Sequence, residues 1–130
     1  MKKMTVIIKR EENGMFLAVP NHSYNVGLYG YGKTADAAID DLKKVCEEAR
    51  SYCPELPTDL SFEVRYEIPG FLQEYSKLFS LAGLEKITGI HQKQLGHYLN
   101  GNTQPRPQTT RRIAESFDRF RRRLNKVEFA

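Results

Sequence analysis

Three hydrogen-bonding side chains lie close together in the C-terminal half of the chain, at Gln92, Lys93 and His97. A glutamine amide can pair with the edge of adenine, and a lysine ammonium group can donate to the O6 and N7 atoms of guanine. Leu95 and Tyr98, three positions apart, predict a helix that buries one face and leaves these polar side chains in solvent. We therefore predict that Gln92, Lys93 and His97 read base edges in a DNA major groove. The alternative is an ordinary solvated helix face.

Three further side chains are candidates for contacts to DNA phosphates. Gln94 lies on the same predicted helix, Arg106 lies between two prolines on a rigid turn, and Arg111 comes near the start of the last predicted helix. Contacts of this kind set the register of a protein on the duplex without reading the DNA sequence.

The charge of the chain is unevenly distributed. Residues 71–130 carry 11 lysines and arginines against 5 acids, whereas residues 1–70 carry 9 against 11, so the net charges are +6 and −2. Since phosphate is the obvious partner of a basic segment, the C-terminal half is predicted to bind nucleic acid and the N-terminal half to have a different partner.

The segment before Gln92 is predicted to position the polar helix. Ser80 can cap a first short helix, and Gly89 supplies the turn with positive φ that lets a second helix cross at a steep angle. Asn100-Gly101 predicts the end of that second helix, and Gly96 leaves room for close approach along it. Two short helices joined by such a turn are a helix-turn-helix, whose second helix enters the major groove.

Residues 71–120 resemble the helix-turn-helix of the phage-repressor-like (XRE) family. The resemblance rests on Gly89, Ile90, Leu95, Tyr98 and Asn100-Gly101. Glu85 departs from the family pattern, which usually has a small residue there. Because one helix-turn-helix offers few base contacts, we expect at least a homodimer on double-stranded operator DNA.

The N-terminal half is predicted to form a small sheet with one helix. Strands are predicted over 5–10, 15–19 and 26–31 and through the alternating residues 62–68, with a hairpin turn at Asn13-Gly14. Thr34 is predicted to cap a helix that ends near Tyr52 and carries Cys46 and Cys53, seven residues apart and too distant for a disulfide.

Pro69-Gly70 is interpreted as the end of the N-terminal unit and the start of a short linker. The first helix of the C-terminal bundle is predicted to carry Phe71, Tyr75, Leu78 and Phe79. The predicted fold class is therefore α+β. A β-β-β-α-β domain occupies residues 1–69, and an all-α domain of about four helices occupies residues 70–130.

Residues 4–68 resemble the N-terminal domain of HicB-type antitoxins. The resemblance rests on Val19-Pro20 at the end of a strand and on Gly32-Lys33-Thr34 with Ala38 at the helix entry, although Asn21–Asn25 replaces the family's usual segment. It implies a partial ribonuclease-H-like fold without nuclease activity and a partner toxin of the HicA type, which cleaves mRNA. Together, the two resemblances imply that the whole chain is an antitoxin that neutralises this toxin and represses its own operon.

Two other functions stay open at this point: a stand-alone regulator whose N-terminal half senses a small ligand, and a nuclease. A nuclease needs carboxylates that converge on metal ions, and neither Asp36, Asp40 and Asp41 on one helix nor Glu63 and Glu67 on a strand need do so. We predict no catalytic residue, no cofactor and no metal. No apolar run approaches the roughly 18 residues of a membrane span, so we expect a cytoplasmic protein.

Overall fold

The computed structural model describes residues 2–130 as a mixed α+β chain, with a four-stranded sheet and five α-helices in that range. The predicted α+β class is confirmed. The chain divides into two compact units, one ending at Glu74 and the other spanning Tyr75–Ala130. Among the described residues, no helix combines the length and apolar character that crossing a membrane requires.

The first unit contains a sheet and a helix packed on one of its faces. Its elements are β1 (Lys2–Arg10), β2 (Phe16–Pro20), β3 (Gly30–Gly32), α1 (Ala35–Ala49), β4 (Leu60–Tyr66) and α2 (Ile68–Tyr75), the last of which ends at the first residue of the second unit. The strand order is β3-β2-β1-β4; β1 is antiparallel to β2 and parallel to β4. Asn13 and Gly14 both have positive φ, 62° and 74°, in the turn between β1 and β2, so the predicted hairpin turn is confirmed.

Helix α1 covers the sheet with one apolar face. Its first turn is capped as predicted, because Thr34 Oγ1 accepts a hydrogen bond from the Ala37 N–H at 3.0 Å. Its buried residues pack with those of β1 and β2 in one core, which includes Val6, Ile8, Phe16, Ala18, Ala35, Ala38, Leu42 and Cys46. A Cβ atom at Gly30 would clash with the Ala38 carbonyl oxygen, so the glycines of β3 serve the close approach of α1.

Four predictions for this half are wrong. The strand predicted through residues 62–68 is β4, which spans Leu60–Tyr66, and Ile68 is instead the first residue of α2. The third strand does not span 26–31 but is limited to Gly30–Gly32. Pro69-Gly70 is not a linker: both residues are buried in the first turn of α2, where proline is tolerated because the first N–H groups of a helix need no intrahelical partner. Cys53 is not on α1, which ends at Ala49; it is buried in the following turn, and both cysteines are free thiols.

The second unit contains α3 (Leu81–Thr88), α4 (Gln92–Leu99) and α5 (Pro107–Leu124). These are three complete helices rather than about four, because the predicted first helix is α2, most of which belongs to the first unit; Leu78 and Phe79 lie outside it, and Leu78 is 76% exposed. The buried apolar side chains of this unit are Leu84, Ile90, Leu95, Tyr98 and Ile113. Phe79 also packs edge-to-face against Phe117 and Phe120, with ring centroids 6.4 and 6.2 Å away.

Candidate nucleic-acid interface

The two helices α3 and α4 are joined by a turn of three residues centred on Ile90. Ser80 Oγ accepts from the Gly83 N–H at 2.9 Å and so caps α3, as predicted. Gly89 ends that helix in the left-handed conformation, with φ of 73°, and its N–H donates to the Glu85 carbonyl at 2.7 Å. The chain therefore bends at Gly89, as its sequence predicted.

Side chains of α3 and α5 hold this turn. The buried hydroxyl of Thr88 donates to the Leu84 carbonyl at 2.8 Å and accepts from the Ile90 N–H at 3.1 Å. Arg112, on α5, donates to the Gly89 carbonyl at 3.1 Å. Because every one of these contacts involves a backbone group of α3 or the turn, they limit how α4 can be directed away from α3.

Two side chains cap the N-terminus of α4. The Gln92 N–H donates to Glu85 Oε1 at 2.7 Å, and the Lys93 N–H donates to His91 Nδ1 at 3.1 Å. A carboxylate is favourable at this end of a helix because the free N–H groups carry partial positive charge. Glu85, the residue that departs from the XRE pattern, therefore joins α3 to α4 across the turn.

Helix α4 leaves most of the predicted base-reading residues in solvent. Gln92 and Lys93 are exposed, whereas Leu95 and Tyr98 are buried, as predicted. His97 is half-buried, and its Nδ1 atom lies 3.4 Å from Asn102 Nδ2, so its side chain is less accessible than those of Gln92 and Lys93.

The outermost face of α4 follows from its helical spacing. Lys93, Gly96, His97 and Asn100 recur at intervals of three and four and therefore share this face, with Gln92 and Gln94 on its two flanks. Asn100 is exposed there, although the sequence indicated only that it stops the helix. Its spacing of seven residues from Lys93 is the sequence signal that would have placed Asn100 on this face. At Gly96, an added Cβ would meet only Leu81 Cδ1, at 3.8 Å, so the backbone is accessible.

The predicted phosphate-binding residues are all exposed. Gln94 lies in the first turn of α4, Arg106 immediately precedes α5, and Arg111 lies on the second turn of α5. Arg106 is followed by Pro107 as the first residue of the helix, so Arg111 lies four residues after the start of α5. Arg112 was not predicted to have a role, and it is the arginine that contacts the turn itself.

Arginines continue to the far end of α5. Arg119, Arg121, Arg122 and Arg123 are exposed, and the ion pair between Arg122 and Asp118, at 3.4 Å, is itself in solvent. Helix α5 carries six arginines against two acids, Glu115 and Asp118, so most of its positive charge is uncompensated within the helix. Over residues 2–130, no three histidine, cysteine or acidic side chains are grouped in a way that would hold a metal ion.

Comparison of the chain with models of protein families, with curated proteins and with solved structures gives no match. What the protein does is therefore inferred from its own residues and their placement.

Proposed function

We propose that this protein is the antitoxin of a type II toxin–antitoxin system. The second unit acts as a helix-turn-helix that binds operator DNA and represses the protein's own operon, and the first unit binds and neutralises a HicA-like mRNA-cleaving toxin. The protein works in the cytoplasm, as a homodimer or a larger homo-oligomer on DNA. The observation that carries the proposal is the bend at Gly89, which joins α4 to α3 while Gln92 and Lys93 stay in solvent.

The dimensions and chemistry of the second unit support DNA binding. Helix α4 has eight residues, buries Leu95 and Tyr98, and presents amide and ammonium groups, the donors that match the edges of adenine and guanine. Exposed cations at Arg106 and Arg111 are suited to phosphate. The half-buried imidazole of His97 is the least accessible of the proposed base-reading groups, and we expect it to contribute less than Lys93.

The topology of the first unit supports the antitoxin half of the proposal. Three antiparallel strands are followed by a helix and by a fourth strand parallel to the first, which is the arrangement expected of a partial ribonuclease-H-like domain. The motif Gly32-Lys33-Thr34, which carries the resemblance to HicB-type antitoxins, ends β3 and caps α1.

Operator binding tests the DNA half. We expect the double variant Gln92→Ala/Lys93→Ala to bind DNA from the protein's own promoter at least about 30-fold more weakly, since each base contact is worth about 1–3 kcal/mol. Fluorescence anisotropy at one fixed salt concentration measures this, because phosphate contacts make affinity salt-dependent. The matched control is Lys77→Ala/Gln104→Ala, which removes the same two side-chain types from exposed positions outside α4.

Growth rescue tests the toxin half. The gene adjacent to that of this protein is expressed alone and with the wild type, and the two proteins are co-purified. We expect the wild type and Gln92→Ala/Lys93→Ala to rescue growth equally, because the substitutions lie in the second unit. If the double variant lost growth rescue and operator binding equally, toxin binding and DNA binding would not be assigned to separate units. Operator binding by a protein that has no protein partner would instead support a stand-alone, ligand-sensing regulator.

A further inference from the structure

The sheet of the first unit has one face that α1 does not cover. Met4, Val6 and Ile8 of β1 are buried in the core beneath α1, so the alternate residues of β1 point to the opposite face. The strand register places Ile7 beside Val19 of β2.

On that face β2 leads to β3. Leu17 is the register partner of Tyr31, the middle residue of β3. Apolar and aromatic side chains therefore form a diagonal row from Ile7 through Val19 and Leu17 to Tyr31, while the direct β1 partner of Leu17 is the charged residue Lys9.

An open groove lies at the β3 end of this row. It has a volume of about 740 Å³, and its lining includes Leu17, Val19, Tyr29, Tyr31, Glu11 and Asp41. We call it the Tyr29–Tyr31 groove, after the two tyrosines, which are 56% and 44% exposed. Exposed tyrosines beside aliphatic side chains are typical of the centre of a protein–protein interface.

The charged groups of the groove both have the same sign. Its lining includes the carboxylates of Glu11 and Asp41 and no lysine or arginine. Asp41 is held in place, because its Oδ2 atom accepts the Tyr31 N–H at 2.9 Å across the free edge of β3. A carboxylate fixed beside a tyrosine ring suits a lysine or arginine, whose alkyl chain packs on the ring while its cationic group reaches the acid.

We propose that the Tyr29–Tyr31 groove is the docking site for a basic protein, and that this protein is the toxin. The inference rests on the proposed function and names the surface that it uses. A small molecule would fit poorly, because ligand pockets enclose most of their ligand and this groove is open to solvent along the sheet. Charge complementarity selects the partner: the aromatic side chains contribute contact area, and the two acids favour a partner segment rich in lysine or arginine.

Two variants separate the aromatic from the electrostatic contribution. Tyr29→Ser/Tyr31→Ser removes both rings, and we expect it to raise the Kd for the toxin at least about 30-fold, as for a pair of central interface residues. Glu11→Gln/Asp41→Asn removes both charges but keeps an oxygen to accept the Glu12 and Tyr31 N–H groups. We expect this variant to weaken binding about 10-fold and to reduce its salt dependence.

The control variants are Tyr52→Ser, which removes a ring that is 63% exposed outside the groove, and Glu47→Gln/Glu48→Gln, which removes two exposed charges from α1. Isothermal titration calorimetry of the full-length chain with the purified toxin gives each Kd, and circular dichroism melting shows that each variant is folded. We expect both controls to bind within about twofold of the wild type, since exposed charges away from an interface contribute little.

The possible outcomes test the docking site separately from the proposed antitoxin function. Wild-type binding that persists unchanged in folded groove variants overturns the docking site and leaves the antitoxin proposal standing. A wild type that neither binds the toxin nor rescues growth overturns both. Light scattering, which measures molar mass, tests whether a second copy of this chain occupies the groove instead. If the groove variants become monomeric while still binding the toxin, the groove joins two copies of this chain and the inference is wrong.

Discussion

Two glycines of the second unit are expected to respond in opposite directions to the same substitution. Gly89 lies in the turn between α3 and α4 with φ of 73°, and Gly96 lies inside α4. Replacing either by alanine adds one methyl group. We expect Gly89→Ala to destabilise the second unit and Gly96→Ala to stabilise it.

The size of each effect follows from the local geometry. At Gly89 the left-handed conformation costs alanine about 1–2 kcal/mol. The new Cβ would also lie 2.8 Å from Arg112 Nη2, and displacing that group removes a hydrogen bond worth about 0.5–1.5 kcal/mol. At Gly96 the Cβ has an ordinary contact of 3.8 Å with Leu81, so the gain in helix propensity, about 0.5–1 kcal/mol, is retained. The two variants should therefore differ by about 2–4 kcal/mol.

Hydrogen exchange of the full-length chain measures this difference where it arises. Since 1.4 kcal/mol corresponds to a tenfold change in an opening equilibrium, amides of α3 and α4 should exchange about 10- to 300-fold faster in Gly89→Ala. In Gly96→Ala they should exchange about two- to fivefold more slowly. Operator binding adds a second readout: because Gly96 shares a face with Lys93 and His97, its methyl group should weaken DNA binding about tenfold although the fold is more stable.

Two results would refute this reasoning. If Gly89→Ala exchanged as slowly as the wild type, the turn would not need the left-handed conformation, and the placement of α4 would rest on something other than Gly89. If Gly96→Ala bound the operator as tightly as the wild type, the α4 backbone would not approach the DNA major groove at that position.

Three smaller predictions concern caps and thiols. His91→Ala should lower the free energy of unfolding by about 1 kcal/mol, because the Lys93 N–H loses its acceptor, whereas His91→Ser should retain most of it; urea titration decides. Thr34→Ala should cost a similar amount and Thr34→Ser little, as measured by the exchange of α1 amides. Burial raises the pKa of Cys46 and Cys53 above the ordinary 9.0, and a hydrogen bond to Glu55 raises the pKa of Cys53 further. The stability that these neutral thiols contribute is complete below pH 9 and lost as pH rises through their folded-state pKa, and Cys46→Ala/Cys53→Ala should flatten this decline in urea titrations.

The same free thiols give a simpler check of burial. An aromatic disulfide reagent at pH 8 should react slowly with the native protein and rapidly once urea unfolds it, because both cysteines are only 1% exposed. Rapid reaction without urea would show that the turn after α1 opens far more easily than its packing indicates.

Several features of this protein were determined by its sequence over short distances. The hairpin turn at Asn13-Gly14, the cap at Thr34 and the bend at Gly89 each depend on one or two residues whose backbone or hydroxyl chemistry acts within the same turn. The buried face of α4 follows in the same way from the spacing of Leu95 and Tyr98. Such signals need no knowledge of what lies elsewhere in the chain.

Other features were decided only by the tertiary structure. The local sequence Pro69-Gly70 predicts a break, yet both residues lie in the first turn of α2. The absence of a Cβ atom at Gly70 lets α2 approach the Ile8 carbonyl of β1. Glu85 becomes a cap for α4 only when the turn brings it to the Gln92 N–H. The Tyr29–Tyr31 groove likewise brings together residues of β2, β3 and α1, and Asp41 accepts the Tyr31 N–H from ten positions away in the chain. In each case the deciding contact joins residues that helical or strand periodicity does not relate, so only the folded chain contains the information.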